Sequence, residues 1–179
     1  MTPTPPPSWL PELVPFRGDW DPFVRALYAL FSIDFKSGRL RFRGRPVWYD
    51  RRVLPDDPNR YEEGFWHLVT RDDFVWNQAK RCNEKQRLPD LERAQHLPWG
   101  NPTVAHETEP EVLVWDFDEA TRRGNVVRTY LWLRDWNYTV ILEQQVKERG
   151  DIFMLITTFL VDAPGKHIDL ESKYERRKK

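Results

Sequence analysis

Val112-Leu113-Val114-Trp115-Asp116-Phe117, Val126-Val127-Arg128-Thr129-Tyr130-Leu131-Trp132-Leu133, Tyr138-Thr139-Val140-Ile141-Leu142-Glu143-Gln144 and Ile152-Phe153-Met154-Leu155-Ile156-Thr157-Thr158-Phe159-Leu160-Val161 stand in succession in the last third of the chain. All four runs are rich in β-branched and aromatic residues, the side chains that suit a pleated, half-buried surface. Thr121 to Asn125, Asp135 to Asn137 and Glu148 to Asp151 separate them. Parallel neighbours need a crossover of roughly a dozen residues or more, so connections this short predict an antiparallel meander. In the second run Val127, Leu131 and Leu133 alternate with Arg128, Trp132 and Arg134, with Tyr130 out of phase. One face is therefore expected to be apolar and the other to carry arginine and aromatic groups.

Ahead of the meander the pattern changes. Residues 1–18 are Pro-rich and are expected to run extended over the surface of the domain at 19–176. Asp21-Pro22 reads as an N-cap followed by proline at the first helical position, and Phe23, Ala26, Leu27, Leu30 and Phe31 then share one helical face. Residues 39–42 and 46–49 flank Arg43-Gly44-Arg45 as a short hairpin. Residues 50–63 read as loop, and Phe65 to Thr70 as a buried strand carrying His67. A small helix is predicted from Leu88 to Leu97, with Pro89 in its first turn and Pro98 stopping it, and Trp99 to Pro102 as a turn. There is no internal repeat. The fold class is α+β: a helix and short hairpin, a small helix, then a twisted antiparallel sheet.

Composition narrows the function classes. The 179 residues carry 28 basic and 28 acidic side chains, so attraction to nucleic acid or an anionic membrane must come from a local patch. One such patch is residues 173–179, where five of seven side chains are basic. The single cysteine, Cys82, excludes an internal disulfide and a Cys-rich zinc site. The N-terminus lacks the features of a signal peptide, and no run approaches the ~18 apolar residues of a membrane helix. A cytoplasmic protein with no membrane partner is the expectation.

His67 is the first candidate for chemistry. It reads plainly as a half-buried histidine bonded to the backbone, or functionally as a general acid or base with a near-neutral pKa. Arg87-x-x-Asp90-x-x-Arg93 is either an exposed salt-bridged helix or an anion clamp, in which Asp90 orients arginines shaped to hold phosphate. Arg128 and Tyr138 fall on neighbouring strands and are expected on one face, as a structural pair or as groups that steady a phosphorane or stack a base. Thr157 and Thr158 are good strand residues, and a hydroxyl there also suits a non-bridging phosphate oxygen. Adjacent strand residues face opposite sides, so only one of the two can face His67. The four histidines lack metal-ligand spacing, and no phosphate loop or nucleophile elbow occurs. Asp116, Asp118 and Glu119 offer a weaker Mg²⁺-chelating alternative. Histidine, arginines and hydroxyls on a small sheet are the equipment of a ribonuclease that needs no metal or other cofactor.

The order of motifs also carries a resemblance. Leu27 to Phe35, Phe65-Trp66-His67-Leu68, Arg87-x-Pro89-Asp90-Leu91-x-Arg93-Ala94 and Pro98-Trp99 come first. Leu113-Val114-Trp115, Tyr138 to Leu142, Leu155-Ile156-Thr157-Thr158-Phe159 and Lys173-Tyr174-Glu175 follow. Over roughly residues 20–176 this resembles a phage- and prophage-associated family grouped with the Barnase–EndoU–Colicin E5/D–RelE ribonucleases. The resemblance implies a RelE/barnase-like fold and a toxin-like, metal-independent endoribonuclease. Its site would comprise His67, Arg87, Arg93 and Thr157, with Asp90, Arg128, Tyr138, Thr158 and Tyr174 binding substrate. RNA, whether ribosome-bound mRNA or tRNA, and an antitoxin protein are the implied partners. A small residue, usually alanine, is expected where this chain has Thr158, which leaves open which hydroxyl serves. The competing expectation is a non-catalytic module that binds RNA or a protein; a metal-dependent DNase built on Asp116 and Asp118 is a third.

Overall fold

A computed structural model describes residues 4–122 and 124–178. Residues 1–3 of the Pro-rich stretch, Arg123 of the first meander turn and Lys179 of the basic tail lie outside the described residues. The chain is α+β, with a six-stranded mixed sheet and a separate two-stranded ribbon.

The meander forms as its composition dictates. Strands β5 (Val112–Thr121), β6 (Gly124–Leu133), β7 (Tyr138–Gln145) and β8 (Ile152–Leu160) pair antiparallel in sequence order. Leu131, Leu133, Val140, Leu142 and Leu155 point into the main core. The other face is buried as well: Trp115, Tyr130, Trp132 and Ile141 form a second cluster there. A two-sided sheet was not expected, and its cause is helix α5 (Pro164–Glu175), whose last three residues fall in the basic stretch at 173–179. Leu170 anchors α5 on the second cluster.

The hairpin is β1 (Arg41–Phe42) and β2 (Arg45–Trp48). Arg43 and Gly44 both take positive φ, 46° and 75°, as a two-residue turn matched to the strand twist requires. β2 then pairs with β8 in parallel, Val47 opposite Phe153, so the sheet is mixed rather than wholly antiparallel. That pair needs no local crossover because residues 49–151 lie between its strands.

Four sequence assignments are corrected. Helix α1 (Trp20–Phe31) is capped by Asp19, not Asp21. Pro22 sits inside its first turn, where backbone N–H groups have no helical acceptor and proline costs nothing. The stretch read as a strand carrying His67 is helix α2 (Glu63–Val69): Phe65, Leu68 and Val69 are fully buried at helical spacing. Thr70 then opens β3 (Thr70–Asn77), paired with β4 (Cys82–Pro89) as the outlying ribbon. The helix expected over 88–97 is only α3 (Leu91–Gln95), since Leu88 and Pro89 end β4 and Asp90 caps the helix. Pro98 lies within a 3₁₀ turn, Leu97–Trp99, that runs on into α4 (Gly100–Ala105) instead of a turn.

The N-terminal stretch lies along this body. Val14 N–H donates to Gln95 O at 3.0 Å, Trp99 Nε1 to Pro11 O at 2.9 Å, and Trp9 stacks on His106. Among the described residues no helix is long and apolar enough to cross a membrane.

Candidate active site

The site grows from the first turn of α2. Gly64 donates its N–H to Asp50 O at 2.9 Å, and a Cβ added there would come within 3.0 Å of the Asp50 backbone N and O. Glycine thus lets the helix start hard against the loop. Glu63 and His67, one turn apart, then project from one helical face.

Arg87, carried on β4 opposite Asp72, reaches Glu63 with both terminal nitrogens, Nη1 to Oε1 at 2.9 Å and Nη2 to Oε2 at 2.8 Å. This two-pronged geometry is the strongest form of the pair. It holds the nearly buried Glu63 carboxyl below the usual carboxylate range. His67 Nε2 stands 4.0 Å from Glu63 Oε2. Burial first, and the Arg87 charge second, push the imidazole below its ordinary pKa, with Glu63, Asp72 and Asp50 pulling the other way. The imidazole is therefore mainly neutral at pH 7.

Glu63 and Arg87 of this trio line a cleft of about 570 Å³, walled also by Trp20, Trp66, Asp72 and Lys85 among others; His67 is not one of its lining residues. Its remaining acids are largely engaged. Asp72 pairs with Lys85 at 2.7 Å, and Asp57 accepts from Trp66 Nε1 at 2.6 Å and from Tyr61 N–H at 3.0 Å. Arg87 has five N–H donors, of which Glu63 takes two, so donors remain for an anion in the cleft.

Arg93 and Thr157 form a second knot behind α2. Arg93 donates from Nε to Thr158 O at 2.6 Å, from Nη1 to Thr70 O at 2.6 Å and from Nη2 to Thr157 Oγ1 at 2.8 Å. Burial lowers the pKa of this guanidinium. Thr157 Oγ1 lies 3.5 Å from the carbonyl oxygen of His67, so the knot grips the backbone of His67 rather than its ring. Asp90 caps α3 and accepts the Arg93 N–H at 3.1 Å; the two are cap and third helical residue, not partners along an exposed helix.

A bulge fixes which way each of the two threonines faces. Ile141 pairs with Thr157 but Leu142 with Leu155, which leaves Ile156 over and reverses the alternation of β8. Leu155 and Thr158 both face the main core as a result, and Thr158 is buried opposite Val140.

The other expected residues lie elsewhere. Tyr138 is wholly buried in the main core, where burial raises its phenol pKa. Arg128 is opposite Glu143 on the other face, paired to Glu119 at 2.7 Å. The expectation that Arg128 and Tyr138 share a face is therefore corrected: Tyr138 pairs with Leu133, five residues along β6 from Arg128 and of opposite parity. Tyr174 packs edge-on against Trp115 under α5. No chelating trio forms from the three acids. Asp116 binds Thr129 and Arg43, Asp118 binds Lys178, and Glu119 faces the opposite side toward Tyr130, Arg128 and Lys173.

Glu63 and Lys85 escaped the sequence reading. Glu63-x-x-x-His67 is a visible spacing, but it carries meaning only once α2 is known to be a helix. Compared with family models, curated proteins and solved structures, the chain matches none.

Proposed function

We propose that this chain is a metal-independent endoribonuclease of the toxin type. The observation that carries the proposal is a neutral imidazole one helical turn from an ionised carboxylate, which is itself held by a guanidinium with spare donors, the carboxylate and the guanidinium both lining one open cleft. The four-stranded meander and its packed helices also suit the RelE/barnase-like scaffold that the motif order implies.

In this proposal His67 accepts the proton of a ribose 2′-OH as the 2′-oxygen bonds to the adjacent phosphorus. Arg87 donates to the non-bridging oxygens, where negative charge grows in the phosphorane. Glu63 holds Arg87 in place and steadies the imidazolium. The P–O5′ bond breaks, water protonates the leaving oxygen, and the products end in a 2′,3′-cyclic phosphate and a 5′-OH. Arg93, Thr157 and Asp90 act one step back, as positioning residues. RNA, free or on the ribosome, is the substrate and an antitoxin the regulatory partner.

One observation favours a second reading, a binding module without catalysis: Arg93 spends its guanidinium on three internal acceptors and Arg87 part of its own on Glu63. The test is cleavage of a labelled RNA in EDTA, alone and on translating ribosomes, by wild type beside His67→Ala. The expected result is wild-type cleavage with cyclic phosphate ends and a loss of about 10²–10⁴-fold in the variant. Cleavage by neither protein in either setting favours the binding module. Cleavage that EDTA abolishes would point to metal chemistry instead.

A further inference from the structure

The β3–β4 ribbon stands apart from the main sheet, and among the described residues its strands pair only with each other. Along β3, Phe74 and Trp76 are 66% and 58% exposed, unusual for rings of their size. Residues of one parity share a face, and on this ribbon one face comprises Thr70, Asp72, Phe74 and Trp76 with Pro89, Arg87, Lys85 and Asn83 opposite them. Thr70, Asp72, Lys85, Arg87 and Pro89 of that face all line the cleft that Glu63 also lines. The two bare rings are thus the outward continuation of the cleft wall.

We infer that this face is a stacking platform for single-stranded RNA, leading an unpaired strand into the cleft; the inference rests on the ribonuclease reading for its choice of ligand. Three features favour a nucleic acid. Rings two residues apart on a strand are separated by about 6.8 Å, twice the ~3.4 Å rise of stacked bases, so one base fits between them. The cross-strand neighbours are Lys85 beside Phe74 and Asn83 beside Trp76: an exposed ammonium, shared with Asp72 at 2.7 Å, for phosphate, and an amide for a base edge. Charge agrees: residues 70–89 hold five basic and three acidic side chains, against 23 basic and 25 acidic in the rest of the chain. A duplex offers no free base faces, so single strands are selected.

Binding is measured by anisotropy of a labelled single-stranded RNA dodecamer, and of its duplex, on the full chain carrying His67→Ala, so that cleavage does not blur the reading. Phe74→Ala/Trp76→Ala is compared with Phe74→Tyr/Trp76→Phe; both positions are exposed, and circular dichroism checks that each variant folds. The expected result is single-strand binding at least tenfold tighter than duplex binding. The double alanine variant should lose about tenfold or more, and the aromatic variant should retain most affinity. Equal binding of single strand and duplex, or no loss in the double alanine variant, overturns the platform. So does ring-dependent self-association in sedimentation without RNA binding. Ring-dependent binding by a wild type that cleaves nothing keeps the platform and removes the ribonuclease.

Discussion

His67 is kept neutral by its surroundings, and that sets two pH dependences. The unfolded chain holds this histidine near its ordinary pKa of about 6.5. Burial and Arg87 place the folded value lower. A base that must be unprotonated then gives a cleavage rate that rises with pH and levels off, its midpoint below about 6.5; a pH–rate profile checks this. Stability moves the same way. Below about 6.5 the unfolded chain takes up the proton first, so the contribution of His67 is complete above that pH and is lost as pH falls through the folded value. Urea unfolding at pH 7.5 and pH 5 should show this loss in wild type and a smaller one in His67→Gln. At this scale the sequence singled out His67 as a candidate and was silent about its neighbours, because Glu63 and Arg87 are 24 positions apart and meet only through the ribbon.

Elements, not side chains, decide whether the trio assembles. α2 starts against Asp50 because Gly64 has no Cβ. Gly64→Ala should push the helix off that loop and cost about 1–3 kcal/mol, with a larger proportional loss in cleavage than Trp66→Phe; thermal melts and single-turnover assays read both. The other end of α2 is tied by Arg93 to β3 and β8. Losing the guanidinium leaves three part-buried acceptors unmet, so Arg93→Ala should cost about 3 kcal/mol in urea unfolding. Thr157→Val removes one bond and should cost about 1 kcal/mol. Arg93→Lys should not rescue, since one ammonium cannot span three acceptors arranged for a planar fork. A full rescue by lysine would mean that Arg93 acts only as a charge. None of this was legible beforehand: the motif Arg87-x-x-Asp90-x-x-Arg93 reads the same whether its arginines face an RNA phosphate or the backbone of β8.

The molecule as a whole is three-layered, with α1, α2, α3 and α4 on one face of the sheet and α5 on the other. The outer layer is thin. Leu170 is the one fully buried residue that α5 contributes, and Lys173 adds a pair to Glu119 at 2.8 Å beside the Tyr130 hydroxyl, whose pKa burial raises to about 12. Leu170→Ala should therefore cost about 2–4 kcal/mol and lower the melting temperature by about 5–10 °C. Cleavage by the folded protein should be unchanged, because α5 covers the face opposite the trio. An unchanged melting temperature would mean that the helix packs on the sheet through its charges instead.

Local composition was enough for the meander, the first hairpin and the first helix, because each is written in the residues it occupies. β-branched runs with short links pair antiparallel, Arg43-Gly44 turns a hairpin, and apolar residues at helical spacing make α1. The ribbon was not legible, since Asp72 and Asp73 put charge on both of its faces and no periodicity survives. Nor was α5, whose 12 residues bury only one apolar side chain. The short run around His67 fits strand and helix equally in isolation, and burial of Phe65, Leu68 and Val69 on one side chose the helix. Register and facing follow from contacts between distant segments: the bulge at Ile156, the parallel pairing of β2 with β8 and the Glu63–Arg87 bridge. Those contacts are where the folded chain, rather than its residue types, assembles the site.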